Sequence, residues 1–232
     1  MLRTSTGIIL VTTTGIGFDV SSAALVPITA TVPALVYEVD AAPAVTNGVR
    51  FNRYTSSPES GAYLDIPVPA TPSDIMNIRI EGVVREVDRV WYPAAYAGNT
   101  FIRQTATNEF QIKVSKDTGG VIQGAIATTD TYAIGDAFTL IVEGTATSLR
   151  IQASKNAGAL YDVVNMTGQT GLDYRFPNGI NRQTSPLAGG AWDAMLITID
   201  DGVTDYFNES GDLAAWQAKV DALGQGILVD VI

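Results

Sequence analysis

The chain of 232 residues contains no cysteine and no histidine. Without thiols it has no disulfides and no thiolate metal ligands, and without imidazole it lacks the commonest general base and metal ligand. These two absences exclude zinc sites built on Cys or His and every Ser-His-Asp or Cys-His catalytic arrangement. An enzyme with this sequence would depend on carboxylates, Tyr or Lys. We expect a protein that is not an enzyme and that needs no cofactor.

Positive charge is also scarce, since the chain has 14 basic and 24 acidic residues and a net charge of −10. The basic residues form no run, whereas nucleic acids and anionic membranes attract clusters of Lys and Arg. No apolar run approaches the roughly 20 residues of a membrane-spanning helix. The apolar run Gly7–Val11 is too short for the core of a signal peptide, so we expect a strand there. Nucleic acid and membrane are therefore excluded as expected partners.

Residues 1–44 differ from the rest of the chain because they carry almost no charge. Their only side chains charged at neutral pH are Arg3, Asp19, Glu38 and Asp40. Thr, Val and Ile favour extended structure here, and so little charge makes a poor solvent-facing surface. Two interpretations remain open: the first strands of the domain, or an arm that packs on neighbouring subunits. We divide the chain into this N-terminal segment and a domain over residues 45–232.

Residues 45–232 show the period-two pattern of half-buried strands. In 77–87, polar residues alternate with Ile78 and Ile80, and Gly82 suggests a bulge. Residues 110–114 and 121–127 read as a hairpin, as do 138–143 and 148–154, with a turn at 143–145. Helical periodicity is missing through the middle of the chain. Strand signals recurring in this way predict an antiparallel β-sandwich.

The C-terminal third adds four further features. Residues 165–190 are rich in Gly and Pro and predict a long loop, and residues 192–199 predict a buried strand. Apolar residues spaced on one face predict a short α-helix over 211–222. Residues 227–232 predict a last strand, which we expect to pair within the domain or with a neighbouring subunit.

Several of these segments resemble one family in pattern and order. They are 47–51, 62–67 with its Tyr-Leu-Asp-Ile-Pro sequence, 76–82, the pair 138–142 and 149–153, and 192–199 with the short helix that follows. Together they resemble the concanavalin A-like, laminin-G-like jelly roll over roughly residues 45–232. The resemblance implies an all-β antiparallel jelly-roll sandwich with one short C-terminal α-helix. It also implies one of three roles: glycan-binding module, glycoside hydrolase with carboxylates on the concave sheet, or structural part of a phage virion or surface-layer assembly.

The best candidate for glycan binding is the aromatic segment 91–99, which Pro93 and Gly98 favour as a loop. Sugars stack on exposed aromatic faces, and amide side chains bind hydroxyls. The candidate residues are Trp91, Tyr92, Tyr96 and Asn99. The alternative is that these rings pack onto the rim of the sandwich or into a subunit interface.

The loop 165–190 supplies a second candidate, with Tyr174 and Arg175 foremost and Asn178, Asn181 and Arg182 nearby. It is either a specificity loop or a stiff connection held by its Pro and Gly residues.

Acidic residues give weaker signals. Hydrolases of the resembled fold place alternating acids on one strand face, and Glu38-Val39-Asp40 and Glu86-Val87-Asp88 each lack the third acid. Asp200, Asp201 and Asp205 are close in sequence, yet their spacing matches no calcium loop, so we assign no metal site.

We therefore expect a non-enzymatic virion structural protein, from a phage, that serves as a capsid decoration or tail-associated subunit. Its partners would be other assembly subunits, reached through the N-terminal arm and the C-terminal strand, in a homo-oligomer. The alternative is a secreted or surface carbohydrate-binding module, and a glycoside hydrolase is less favoured. The expected location is the virion, with the extracellular space as the alternative.

Overall fold

The computed structural model describes residues 2–4, 7–11, 17–19, 26–28, 48–51, 64–68, 71–88, 90–95, 100–114, 126–181, 190–210, 214, 218 and 229–231. Nearly all regular structure in these residues is β-strand. In chain order the strands are β1 (Leu2–Thr4), β2 (Gly7–Val11), β3 (Gly17–Asp19), β4 (Val26–Ile28), β5 (Val49–Phe51), β6 (Leu64–Asp65), β7 (Met76–Val84), β8 (Trp91–Ala95), β9 (Phe101–Gln104), β10 (Glu109–Lys113), β11 (Ile126–Thr131), β12 (Ala137–Thr145), β13 (Ser148–Lys155), β14 (Tyr161–Met166), β15 (Gly179–Ile180), β16 (Trp192–Asp200), β17 (Asp205–Ser210) and β18 (Val229–Val231).

The strands form three antiparallel sheets. The eight-stranded sheet has the order β14-β13-β12-β7-β16-β5-β18, with β17 also paired to β16, and the six-stranded sheet has the order β11-β10-β9-β8-β15-β6. The chain passes from β7 in the first sheet to β8–β11 in the second, returns for β12–β14, and crosses again through β15 before β16. This alternation between two antiparallel sheets confirms the predicted jelly-roll sandwich.

Strand β16 organises the eight-stranded sheet. One of its edges pairs with β7 from Trp192 to Asp200, and its other edge pairs first with β5 and then with β17. Strand β18 pairs with β5, so the last strand completes the sheet of its own chain, which is one of the two outcomes expected for it.

Aromatic rings from both sheets fill the space between them. The ring of Trp91 in the six-stranded sheet stacks 5.8 Å from that of Trp192 in the eight-stranded sheet. Phe110 and Phe138 meet across the same gap with ring centroids 4.6 Å apart. All four side chains are buried, and such offset and tilted ring pairs add stability beyond the area that they bury.

The period-two alternation holds where it was predicted. Along β7 and β12 the buried residues alternate with exposed or half-buried ones, so each strand turns one face to the core and one outward. The predicted hairpin of β12 and β13 is present, but its turn lies at Ala146 and Thr147 because β12 continues through Thr145. Strand β10 pairs with β11, although residues 115–125 between them lie outside the described residues.

The bulge expected at Gly82 lies in the partner strand instead. The register shifts between Ala194 and Leu196, which leaves Met195 as the extra residue of β16, opposite Gly82 and Glu81. A Cβ on Gly82 would lie 2.5 Å from the carbonyl oxygen of Asp193 and 3.0 Å from the Phe138 ring. Glycine is therefore needed at position 82 because β16 and the core rings come close to its Cα. Strand β7 itself has no bulge at this point.

One further prediction needs correction, since residues 91–95 were expected in a loop and form β8. Residues 205–210 form β17, which precedes the predicted helix. Of the predicted helix over 211–222 the structure describes only Ala214 and Ala218, and both are helical and exposed. In the described part of the chain, no helix is long and apolar enough to cross a membrane.

The N-terminal strands β1–β4 form a four-stranded meander with the order β1-β2-β3-β4. Within the described residues, these strands hydrogen-bond as a sheet only to one another. The extended structure expected for residues 1–44 is thus found in four short pieces. The division between this segment and the domain over residues 45–232 stays a prediction.

Candidate functional site

The predicted aromatic platform does not face solvent. Trp91 is 0% exposed and Tyr92 is 5% exposed, so neither ring offers a free face for a sugar, and their assignment to a binding loop is wrong. The physical reason is that β8 is an inner strand whose rings pack inside the protein. Trp91 belongs to the main core, while Tyr92 packs edge-on against Phe101 with ring centroids 5.8 Å apart. Tyr96 and Asn99 lie outside the described residues.

Tyr174 is an anchor of the sandwich and is 1% exposed, which also contradicts its prediction as a binding residue. Its hydroxyl lies 2.9 Å from the carbonyl oxygen of Thr145 and 2.8 Å from that of Ser148, and shares its hydrogen between them. Burial raises the pKa of Tyr174 to about 12, against a smaller lowering by the hydrogen bond to Thr145. Tyr174 therefore fixes the turn between β12 and β13. Arg175 beside it is half-buried.

The other polar residues of the predicted loop have different fates. Asn178 is half-buried, and its carbonyl oxygen accepts a hydrogen bond from the Ile66 N–H at 2.8 Å. Asn181 is buried, and its side-chain oxygen accepts hydrogen bonds from the Gly190 N–H at 2.9 Å and from the Trp192 indole at 3.3 Å. Asn181 therefore holds this segment against the core, which favours the interpretation of the loop as a stiff connection. Arg182 lies outside the described residues.

The acid pairs do not form a carboxylate row. Glu86 and Asp88 follow the end of β7, so the alternation that would place both on one strand face does not apply to them. Glu86 accepts a hydrogen bond from the Ala191 N–H at 3.1 Å, and Asn108 donates to Asp88 at 2.9 Å. Both carboxylates thus hold local structure. Glu38 and Asp40 lie outside the described residues.

The three aspartates near residue 200 belong to the hairpin between β16 and β17. Asp201 accepts hydrogen bonds from the N–H groups of Val203 at 3.0 Å and Thr204 at 2.7 Å, and from the hydroxyl of Tyr206. These bonds, that of Tyr206 first, hold the pKa of Asp201 below its ordinary value. The carboxylate oxygens are therefore used by the turn itself. In the described ranges, no three His, Cys, Asp or Glu residues gather as metal ligands would.

The most prominent polar feature is a row of side chains that crosses five strands of the eight-stranded sheet. In the strand register Asp200 pairs with Asn77, Asn77 with Glu143, Glu143 with Arg150, and Arg150 with Asn165. Directly paired residues share a face of a sheet, so these five lie side by side on the face turned away from the core. We call them the polar row.

An open groove of about 540 Å³ lies over four members of the polar row, and Asp200 is outside its lining. It runs along the ends of β7, β12, β13 and β14. Its lining residues are Ile75, Asn77, Glu143, Gly144, Thr145, Ser148, Arg150, Asn165, Met166 and Thr167. The lining thus combines amide, hydroxyl, carboxylate and guanidinium groups, and none of these residues is aromatic.

Hydrogen bonds fix one end of the groove. Asp162 accepts from Arg150 at 2.8 Å, from Gln152 at 2.9 Å and from Asn165 at 3.1 Å. The hydrogen bond from Arg150, the largest influence, holds the pKa of Asp162 below its ordinary value. At the other end Asn77 donates to Asp200 at 2.7 Å. Glu143 between them is exposed, and its carboxylate makes no hydrogen bond or ion pair within the described residues.

Sequence reasoning missed the polar row because its members lie on five different strands. The alternation of 77, 79 and 81 correctly marked an outward face of β7, but only the register shows which residues of β12, β13 and β14 stand beside it. Asn77 and Glu143 are 66 residues apart in the numbering and are direct partners in the sheet.

Comparison with known proteins identifies no family, since no family model and no curated protein matches the chain. Among solved structures the chain is similar to the native heptameric SAP-like pentraxin from Limulus polyphemus, with 9% identity and a TM-score of 0.44. The match covers 81% of this chain and 86% of the pentraxin. The jelly-roll assignment rests on the strand order and register of the chain itself.

Proposed function

We propose that this chain is a non-enzymatic carbohydrate-binding domain and that the groove over the polar row is its binding site. The polar row carries this proposal, because it presents hydrogen-bonding side chains from neighbouring strands to one open groove. Strands hold such groups at fixed spacing, which favours a ligand with several hydroxyls at fixed spacing.

The composition of the groove favours hydrogen bonding over ring stacking. Asn77 and Asn165 offer both donors and acceptors, Thr145 and Ser148 offer hydroxyls, and Glu143 offers acceptors only. Trp91 and Tyr92 are buried, so a sugar cannot stack on their rings. In the proposed site the side chains of the groove bind the sugar by hydrogen bonds to its hydroxyls.

The single carboxylate in the described groove lining supports binding without hydrolysis. A glycoside hydrolase needs two carboxyl groups that flank the bond, about 5–5.5 Å apart for retention and about 6.5–9.5 Å for inversion. Among the described residues that line the groove, Glu143 is the only carboxylate. A lone carboxylate supports recognition of a hydroxyl and leaves the acid–base pair incomplete.

A glycan array with the purified chain tests this function, beside the double variant Asn77→Ala/Asn165→Ala. We expect the intact chain to bind a defined set of glycans and the double variant to lose at least tenfold in affinity. Asn208→Ala is the matched control, because Asn208 is an exposed asparagine on β17 outside the groove lining. Binding that survives in the double variant would place the site elsewhere, and absence of glycan binding by the intact chain would reject the function.

The N-terminal segment favours a second candidate role, which is compatible with the first. Strands β1–β4 pair as a sheet only with one another among the described residues, and residues 1–44 carry four charged side chains. A weakly charged segment with its own sheet suits packing on a neighbouring subunit. We therefore propose a homo-oligomeric structural protein of a phage virion, as a capsid decoration or tail-associated subunit. Its location would be the virion, with the extracellular space as the alternative.

Deletion of residues 1–44 tests the assembly role. We expect light scattering to show a multimer for the intact chain and a smaller species for the truncated chain, with circular dichroism showing that both are folded. An unchanged oligomeric state would reject the role of this segment. Purified virions probed with an antibody against the chain test the virion assignment, which fails if the particles lack the chain.

A further inference from the structure

The electrostatic environment of the groove points to a class of ligand. We infer, on the basis of the proposed carbohydrate-binding function, that Glu143 is a specificity residue that selects neutral and amine-bearing sugars and rejects acidic ones. Glu143 occupies the middle of the polar row, between Asn77 and Arg150. It is exposed and lines the groove, so its negative charge is accessible to a ligand there.

The single positive charge of the groove lining does not balance this carboxylate. Arg150 is the only Lys or Arg among the lining residues described, and its Nε donates to Asp162 at 2.8 Å. The low pKa of Asp162 keeps that carboxylate ionised at neutral pH, so the charge of Arg150 is already matched. Asp200, at the end of the row, adds a further negative charge. Glu143 is thus the one carboxylate in the described groove lining, and Asp162 and Asp200 lie just outside the lining, bonded to Arg150 and Asn77.

This arrangement separates sugars by charge. A hydroxyl donates a hydrogen bond to the Glu143 carboxylate, and an ammonium group adds an ion pair to the same oxygens. A sugar carboxylate or sulfate would instead bring a like charge to an acceptor that has no proton to donate. Two unit charges about 4 Å apart in water change an affinity about fivefold, and the effect is larger where water is partly excluded.

The net charge of −10 also disfavours binding of acidic ligands by the chain as a whole, so the local effect of Glu143 needs a matched control. Glu109→Gln provides it. It makes the same chemical change and the same change in net charge as Glu143→Gln, but on β10 of the six-stranded sheet. Both substitutions keep the shape of the side chain.

The experiment measures affinities of the full chain for matched oligosaccharides on one backbone: a neutral form, a form with a free amine and a form with a carboxylate. The shared oligosaccharide backbone is that of the neutral glycan that binds most tightly on the array. We expect the order amine-bearing, neutral, acidic from tightest to weakest. Glu143→Gln should raise the affinity for the acidic form relative to the neutral form about fivefold or more, and Glu109→Gln should leave that ratio within twofold.

The outcomes separate the two proposals. If no glycan of any charge binds, the proposed function fails, and the inference fails with it. If neutral and acidic forms bind equally, or acidic forms bind best, the groove still binds carbohydrate but the inference is wrong. If the order is as expected and Glu109→Gln changes it as much as Glu143→Gln does, the overall charge is responsible and the role of Glu143 is rejected.

Discussion

The guanidinium of Arg50 binds both carboxylate oxygens of Asp193, with Nε 2.7 Å from Oδ1 and Nη2 3.0 Å from Oδ2. Arg50 lies on β5 and Asp193 on β16, at directly paired positions of the eight-stranded sheet. Arg85 adds a third contact, with its Nη1 3.3 Å from Oδ2. The Asp193 side chain is 0% exposed, so this ion cluster is buried where β5, β7 and β16 meet.

Asp193→Ala should be strongly destabilising. It would leave two arginines close together in a buried place without their shared carboxylate, and breaking a buried pair in this way costs about 3–5 kcal/mol. Urea unfolding followed by tryptophan fluorescence measures the loss. Asp162→Ala is the control, since the pair of Asp162 and Arg150 is exposed and screened by water, and its loss should be much smaller. Equal losses for the two variants would contradict the importance of the buried cluster.

Trp91→Ala should unfold or strongly destabilise the domain and should not act on binding alone. The ring lies between Trp192 and Phe110, and truncating a buried Trp to Ala costs about 3–5 kcal/mol. Trp91→Phe keeps an aromatic ring, and the indole N–H that it removes has no hydrogen-bond partner among the described residues, so we expect a far smaller loss.

Thermal unfolding compares the two Trp91 variants, and glycan binding is then measured on Trp91→Phe. We expect full binding, because Trp91 lies in the core and does not line the groove. A folded Trp91→Phe protein that no longer binds glycans would restore the aromatic segment as the site.

Gly144→Ala should disturb both the core and the groove. A Cβ on Gly144 would lie 2.6 Å from a ring carbon of Tyr174, which is too close for either group to stay in place. We expect a loss of about 1–3 kcal/mol, typical of overpacking. A double-mutant cycle with Tyr174→Ala checks the cause: Gly144→Ala should cost less once the ring is absent. An equal cost in both backgrounds would mean that the clash with Tyr174 is not responsible.

Asp136 should stabilise the domain near neutral pH and lose this effect in acid. Burial pushes its pKa upward, but hydrogen bonds from Lys155, the Ala133 N–H and Asn156 outweigh burial, and the pKa is lowered overall. Lys155 Nζ lies 2.7 Å from Oδ2 of Asp136. A carboxyl group whose pKa is lowered by folding stabilises the fold at pH values above its pKa in the unfolded chain, which is about 4. This contribution is lost as the pH falls through the lower pKa of the folded state.

Urea unfolding between pH 2 and pH 7 therefore compares the protein with Asp136→Asn. The difference in the free energy of unfolding should be largest near neutral pH and should shrink as pH falls below about 4. A difference that stays constant across this range would show that Asp136 acts without its charge.

Composition and local pattern predicted the class of fold. The alternation in 77–87 and in 138–154 predicted strands that the structure has at β7, β12 and β13, because one buried face imposes period two on any strand. The same reasoning failed at Trp91, where Pro93 and neighbouring aromatics resemble a loop. Pairing with β9 and packing against Trp192 make that segment a strand, and neither influence is local.

The exclusions also came from the sequence itself. The absence of His and Cys removes thiolate and imidazole chemistry whatever the fold, and the scarcity of Lys and Arg predicts that the chain has no nucleic-acid groove. Residue types limit chemistry before any contact is made, so these statements need no coordinates.

Only the tertiary structure decided which polar residues stand together. Asn77, Glu143, Arg150 and Asn165 have unremarkable neighbours in sequence and become one row because β7, β12, β13 and β14 pair in one register. The register depends on packing between strands that are 60 or more residues apart in part of the sheet, as at Asn77 and Glu143. A period of two shows which side of a strand is wet, and pairing across strands decides which wet side chains share a site.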